Sequence, residues 1–213
     1  MLAEFNFRSF SADGAGVSDI AFLAASSDLE EVSLKGNSVE SLSSLSACEK
    51  LQSVEVSDNK LSDLSGLEHS IKLAYLKAAN NEISSLNGIE NCTVLVSVDL
   101  STNRLGDVSV LAKSASSLTR AYLSNNEISD ISALFDCTLL ENVYLDDNSI
   151  SSISALANKP SLKELSAQSN AIGDITALKD SKIVGICKSL RKRYFGYVCT
   201  FRNVKHSFGL YGF

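Results

Sequence analysis

An asparagine returns along this chain at almost fixed intervals: Asn37, Asn59, Asn81, Asn103, Asn126, Asn148 and Asn170, in five steps of 22 residues and one of 23. Each follows an opening leucine by eight residues, the leucines being Leu29, Leu51, Leu73, Leu95, Leu118, Leu140 and Leu162. From each leucine, apolar residues recur at offsets 3, 5, 10, 13 and 16, as in Val32, Leu34, Val39, Leu42 and Leu45. A period of this length marks a stack of small units, none able to bury its own apolar face, and excludes a fold condensed around one central nucleus. The register also runs backward to Phe7, with Phe10, Ala12, Val17, Ile20 and Leu23 in place and Ala15 where the asparagine belongs. Residues 1–28 therefore read as a degenerate capping repeat, and residues 29–180 as seven repeats.

The offsets dictate local structure. Apolar residues at 3 and 5 around one polar residue alternate with period two, so each repeat predicts one short strand with those two side chains inward. Strands related by a fixed period run parallel, and eight of them at about 4.8 Å spacing span about 38 Å. Offsets 10, 13 and 16 keep a spacing of three, which fits 3₁₀ or irregular turns better than a drifting α-helix. At the asparagine the chain turns inward, and the amide, with donors and an acceptor, is suited to backbone groups that no ladder partner reaches.

The repeat reads LxxLxLxxNxIxxIxxL, spelled out by Leu118, Ala121, Leu123, Asn126, Ile128, Ile131 and Leu134. It resembles the 22-residue class of leucine-rich repeat, whose members include the leucine-rich regulatory subunit of protein phosphatase 1, axonemal relatives and the bacterial internalins. The resemblance implies an α/β solenoid with a concave parallel sheet and a convex side of 3₁₀ or irregular turns. It also implies protein binding without catalysis, since this fold serves many unrelated recognition tasks.

Charge divides the chain at one point. Through Asp180 there are 12 basic and 25 acidic residues, whereas residues 181–213 hold 7 basic and no acidic ones. An acidic body argues against phosphate-directed nucleic-acid binding. In 183–194, Ile183, Ile186, Cys187, Leu190 and Tyr194 have helical spacing among basic residues, which reads as a short closing helix. The segment 181–213 lacks the usual intracellular cap motif, and three readings stay open for it: a divergent cap, a functional basic tail, or an erroneous end of the coding sequence. No apolar run approaches the roughly 20 residues of a membrane span, and the N-terminus has no basic-then-apolar leader, so the expected location is cytoplasmic.

Chemistry-bearing constellations are scarce. Cys48, Cys92 and Cys137 share offset 19 and lie two repeats apart, hence about 10 Å from one another, beyond the roughly 7 Å limit for bridging. They read as buried small hydrophobes. The two histidines, His69 and His206, belong to no nucleophile–base spacing, and no phosphate-cradling glycine loop is present. No catalytic residue, metal or cofactor is expected.

The face that can bind is the outward side of the strands. Offset 4 gives the row Ser33, Glu55, Lys77, Asp99, Tyr122, Tyr144 and Ser166; offset 2 gives Glu31, Ser53, Tyr75, Ser97, Arg120, Asn142 and Glu164. Tyrosine and arginine are favoured interface anchors. The candidate partner-binding set is therefore Glu55, Tyr75, Lys77, Asp99, Arg120, Tyr122, Tyr144 and Asp146, with Asp58 and Asp147 extending an acidic rim. Glu55, Lys77 and Asp99 also permit a plain cross-strand charge ladder. The expected partner is another protein, with a phosphatase catalytic subunit or a cytoskeletal protein as candidates. The narrower expectation that the resemblance implies is a regulatory or targeting subunit; the alternatives are an internalin-like surface adhesin, supported by Ile-Ser-Asp-Ile at 128–131 and Ile-Gly-Asp-Ile at 172–175, and a structural subunit of cilia or cytoskeleton whose basic tail contacts acidic tubulin surfaces.

Overall fold

Every strand the register predicts forms, and each is three residues long: β1 (Ser9–Ser11), β2 (Glu31–Ser33), β3 (Ser53–Glu55), β4 (Tyr75–Lys77), β5 (Ser97–Asp99), β6 (Arg120–Tyr122), β7 (Asn142–Tyr144) and β8 (Glu164–Ser166). The computed structural model describes residues 6–179, so the expected closing helix and the rest of 181–213 lie outside the described residues. The strands make one parallel sheet in chain order, each residue paired with its equivalent one repeat on. The degenerate opening repeat belongs to it through β1, where Phe10 pairs with Val32.

Columns of side chains fill the core. The opening leucines, the inward strand residues and the three convex apolar positions stack as one cluster from Ile20 to Leu178. Within it Leu51, Leu73, Leu118 and Leu140 are all fully buried. At the last repeat the cover thins, and Ala167, Ile172 and Ile175 are only half-buried. Such a stack gathers because each unit's apolar face is shielded only by its neighbours.

The asparagines hold the coils in place. Asn103 is typical: its amide nitrogen donates to the carbonyls of Ala78, Leu100 and Ser101 at 3.0, 3.0 and 3.2 Å. Its carbonyl oxygen accepts from the backbone N–H of Ile83 at 2.9 Å. One side chain thus closes its own turn and grips the preceding coil at two places, where the strand ends and where the convex segment begins. The grip recurs at all seven asparagines, with the oxygen accepting from Val17, Val39, Leu61, Ile83, Leu105, Ile128 and Ile150 in turn. Among the described residues no buried side-chain nitrogen or oxygen lacks a partner.

Just before each asparagine the backbone enters the left-handed region. The position is occupied by Gly14, Gly36, Asp58, Asn80, Thr102, Asn125, Asp147 and Ser169, with φ between 53° and 68°. Aspartate, asparagine and glycine tolerate that conformation, while β-branched Thr102 is strained in it. Asp58 and Asp147, expected as an acidic rim, are first of all turn formers here.

On the convex side six repeats carry a 3₁₀ turn, at Ala21–Ala25, Ser43–Leu45, Ser109–Ser114, Ser132–Leu134, Ser154–Leu156 and Thr176–Leu178. The longest absorbs the extra residue of the 23-residue step, leaving the strand register intact. A side-chain oxygen two residues before each turn's opening N–H accepts from it: Asp19, Ser41, Asp63, Ser85, Asp107, Asp130, Ser152 and Asp174 in the eight repeats. These turn-forming bonds hold the carboxyls of Asp130 and Asp174 below the usual aspartate range. The two repeats without 3₁₀ geometry place Gly66 and Gly88 there, at φ 110° and 104°. A Cβ on Gly66 would sit 2.1 Å from the Leu42 carbonyl oxygen, so only glycine lets the chain cross the preceding turn this closely.

Replacing Asn103 with Ala leaves the Ile83 N–H and three carbonyls without this partner. Urea unfolding is expected to show a loss of about 1–3 kcal/mol; a curve superimposable on wild type would contradict the role assigned to the amide.

Candidate functional site

The outward strand residues form the two predicted rows, in register across all eight strands. Glu55, Lys77, Asp99, Tyr122 and Tyr144 lie side by side in one row, Tyr75 and Arg120 in the other. Proximity divides the candidates into two groups. Near the middle of the sheet Lys77 pairs with Glu55 at 3.4 Å, so that much of the cross-strand charge ladder exists. Asp99 takes no part in it and instead accepts from the backbone N–H and hydroxyl of Ser101 at 3.1 and 2.6 Å. Tyr75 stands apart, 48% exposed on β4.

Toward the C-terminal strands the aromatic residues meet. Tyr122 and Tyr144 occupy paired positions of β6 and β7, and their rings stack with centroids 5.1 Å apart and planes 17° from parallel. Both are half-buried. Glu164, on β8, accepts from the Tyr144 hydroxyl at 2.5 Å and from the Asn142 amide at 2.8 Å. Glu164 and Asn142 lie outside the expected partner-binding set, although both stand in the row beside Arg120. Their position was readable, but their grip on Tyr144 depends on side-chain rotamers that a repeat pattern does not encode.

Asp146, expected in the partner-binding set, is engaged within the fold. One of its oxygens accepts from the Ser166 hydroxyl at 2.7 Å and the Gln168 N–H at 2.6 Å, tying β7 to the turn after β8. Asp13 does the same for Ser33 and Lys35 in the opening repeats. Arg120 makes no ion pair among the described residues. The Glu141 carboxyl is held low first by its hydrogen bond from Lys163, at 2.8 Å, with Arg120 adding to the effect.

Cys48, Cys92 and Cys137 belong to a column longer than the cysteine spacing alone indicates. Offset 19 runs Ser26, Cys48, Ser70, Cys92, Ser114, Cys137 and Lys159, all buried. Four of them donate to carbonyls of the preceding repeat, Cys48 to Ser26 and Cys92 to Ser70, each at 3.4 Å, Ser114 to Cys92 at 2.7 Å, and Lys159 to Phe135, whereas Cys137 donates to Ala133 of its own repeat at 3.7 Å. Burial raises all three thiols, Cys92 to about 12, so they are poor nucleophiles. Among the described residues, no group of three or more His, Cys, Asp or Glu is placed to hold a metal ion, and no helix is long and apolar enough to cross a membrane.

The carboxylate beside Tyr144 raises its hydroxyl to about 12 and is itself lowered, first by the tyrosine bond and then by Asn142. The stabilisation from neutral Tyr144 is present below pH 10 and fades as pH rises through about 12. That from ionised Glu164 is present above the ordinary glutamate range and fades as pH falls through its lowered value. Tyrosinate absorbance of wild type minus Tyr144→Phe isolates this ring. The difference is expected to titrate near 12, and a midpoint at the ordinary 10.0 would contradict the bond.

The likenesses of the chain agree with this geometry. The family profile for two copies of the leucine-rich repeat matches residues 116–158, and that for a single leucine-rich repeat matches 91–112. No curated protein matches the chain in sequence. The solved structure of the internalin InlF from Listeria monocytogenes is similar at TM-score 0.77 and 29% identity, over 80% of this chain and 50% of that one. Internalin C2 of the same organism is similar at 0.78 and 27%, over 81% of this chain and 76% of that one. The functional domain of Listeria monocytogenes InlJ, which includes a cysteine ladder, shares the fold at TM-score 0.66 and 19% identity, over 86% of this chain and 46% of that one. This chain spans about half the length of InlF. With its repeats, asparagine columns and single parallel sheet, the chain is a leucine-rich-repeat solenoid, similar in architecture to the solved internalins.

Proposed function

We propose that this chain is a non-catalytic recognition module that docks a partner protein on its concave sheet, centred on Tyr122 and Tyr144. The single observation that carries the reading is the stacked tyrosine pair. Two half-buried aromatic rings, one fixed by Glu164, stand on a face otherwise made largely of short polar and charged side chains. Rigid, pre-positioned aromatics lose little side-chain entropy on binding and are the residues that dominate interface energetics.

Two settings for this role differ in location. A cytoplasmic regulatory or targeting subunit, acting on a phosphatase catalytic subunit or a cytoskeletal protein, rests on resemblance of the repeat alone. A surface adhesin is favoured by the likeness to solved internalins at 29% and 27% identity. Cell fractionation with a tagged full chain separates them: recovery with the soluble interior supports the first, and accessibility to protease on intact cells supports the second.

Affinity capture with the full chain tests the site in either setting. The Tyr122→Ala/Tyr144→Ala variant is expected to lose its principal bound protein by tenfold or more, as removal of central aromatic anchors does. An unchanged captured set would remove the tyrosines from the binding site.

A further inference from the structure

Resting on that reading, we infer that the concave face between Asp99 and Tyr122 receives a cationic side chain, a guanidinium above all, from a basic segment of the partner protein. The row order is Asp99, Tyr122, Tyr144, Ser166 across β5 to β8. The tyrosine centroids are 5.1 Å apart, close to the strand spacing of about 4.8 Å, and the planes differ by 17°. The rings therefore stack as neighbours along the row. One face of Tyr122 is covered by Tyr144, and Asp99 is the neighbour of Tyr122 on its other side in the row.

A ring face is the negative part of an aromatic quadrupole. Next to it stands a carboxylate whose geometry is already fixed: Oδ1 of Asp99 accepts both the N–H and the hydroxyl of Ser101. Its Oδ2 makes no hydrogen bond or ion pair among the described residues. Lys77, on the strand beyond, is committed to Glu55. A π-face and a pinned carboxylate oxygen in adjacent positions both attract a cation. A planar guanidinium can stack on the first while donating to the second, which an ammonium does less well.

The surrounding charge has the matching sign. On the rows and following turns of β5 to β8, Asp99, Asp146, Asp147 and Glu164 stand against Arg120 alone. Residues 1–180 hold 12 basic and 25 acidic side chains, a net charge of −13, within a chain of net charge −6. Such a field draws a basic segment to the face, and the aromatic pair gives it a place to lodge.

The test uses the full chain and a blocked hexa-arginine peptide, with hexa-lysine and hexa-glutamate peptides for comparison, titrated by calorimetry at about 0.15 M salt, where attraction over more than about 8 Å is screened. Hexa-arginine is expected to bind more tightly than hexa-lysine, and hexa-glutamate not to bind. Tyr122→Ala/Tyr144→Ala, which leaves net charge unchanged, is expected to weaken hexa-arginine binding at least tenfold, as is Asp99→Asn, which keeps an acceptor for Ser101. Tyr122→Phe, which keeps the ring face, is expected to bind like wild type. Equal affinity for wild type and the alanine variant would show diffuse attraction to an acidic body and overturn the inference, as would no binding at all. If the tyrosine variant loses its captured protein but hexa-arginine neither binds nor competes with that protein, the cationic occupant is wrong while the tyrosine face stands. If the variant keeps its captured protein, the face itself is wrong.

Discussion

A carboxamide that both donates and accepts is the connection on which this molecule depends. Apolar stacking explains why the repeats gather, but oily columns alone would let neighbouring coils slide or rotate. Each asparagine prevents this by bonding to its own turn and to two points of the coil before it, as Asn126 does with Leu123, Ser124, Leu100 and Leu105. The seven grips set the rotation between coils, and so keep the two outward rows aligned. The stack of Tyr122 on Tyr144 follows from that alignment, because a slip of one residue would turn one ring into the core.

What was legible in the sequence is what every repeat repeats. The asparagine, the opening leucine and the apolar offsets are each stated seven times with little variation, so strand number, register and the composition of the concave rows could be read directly. Other positions do a constant job with changing residues and were hidden for that reason. Gly36, Asp58, Thr102 and Ser169 share only a left-handed backbone. Asp107, Ser85 and Asp174 share only an oxygen at the right height above a turn. Among the described residues the offset-19 column alternates cysteines with serines as far as Lys159, and pattern matching on cysteine alone finds three of these seven. What unites them is burial, and four of them, Cys48, Cys92, Ser114 and Lys159, donate to a carbonyl of the preceding coil.

The binding face was legible as a list and not as an arrangement. Its rows followed from period-two alternation, yet nothing in the spacing distinguished Tyr75, isolated on β4, from the two tyrosines that stack. Nor did it distinguish Asp146, which is spent on Ser166 and Gln168, from Asp99, which keeps an oxygen to spare. These differences arise from side-chain reach between neighbouring coils. They matter for function because a carboxylate already satisfied within the fold has less to offer a partner.

Trans-hydrogen-bond scalar couplings in an isotope-labelled sample probe the asparagine grip most directly, because they register the bond itself. Couplings are predicted between the backbone nitrogens of Val39, Leu61, Ile83, Leu105, Ile128 and Ile150 and the side-chain carboxamide carbons of Asn59, Asn81, Asn103, Asn126, Asn148 and Asn170 respectively. Asparagine amides exchanging freely with water, with no such couplings, would contradict the account and leave the alignment of the concave rows without a cause.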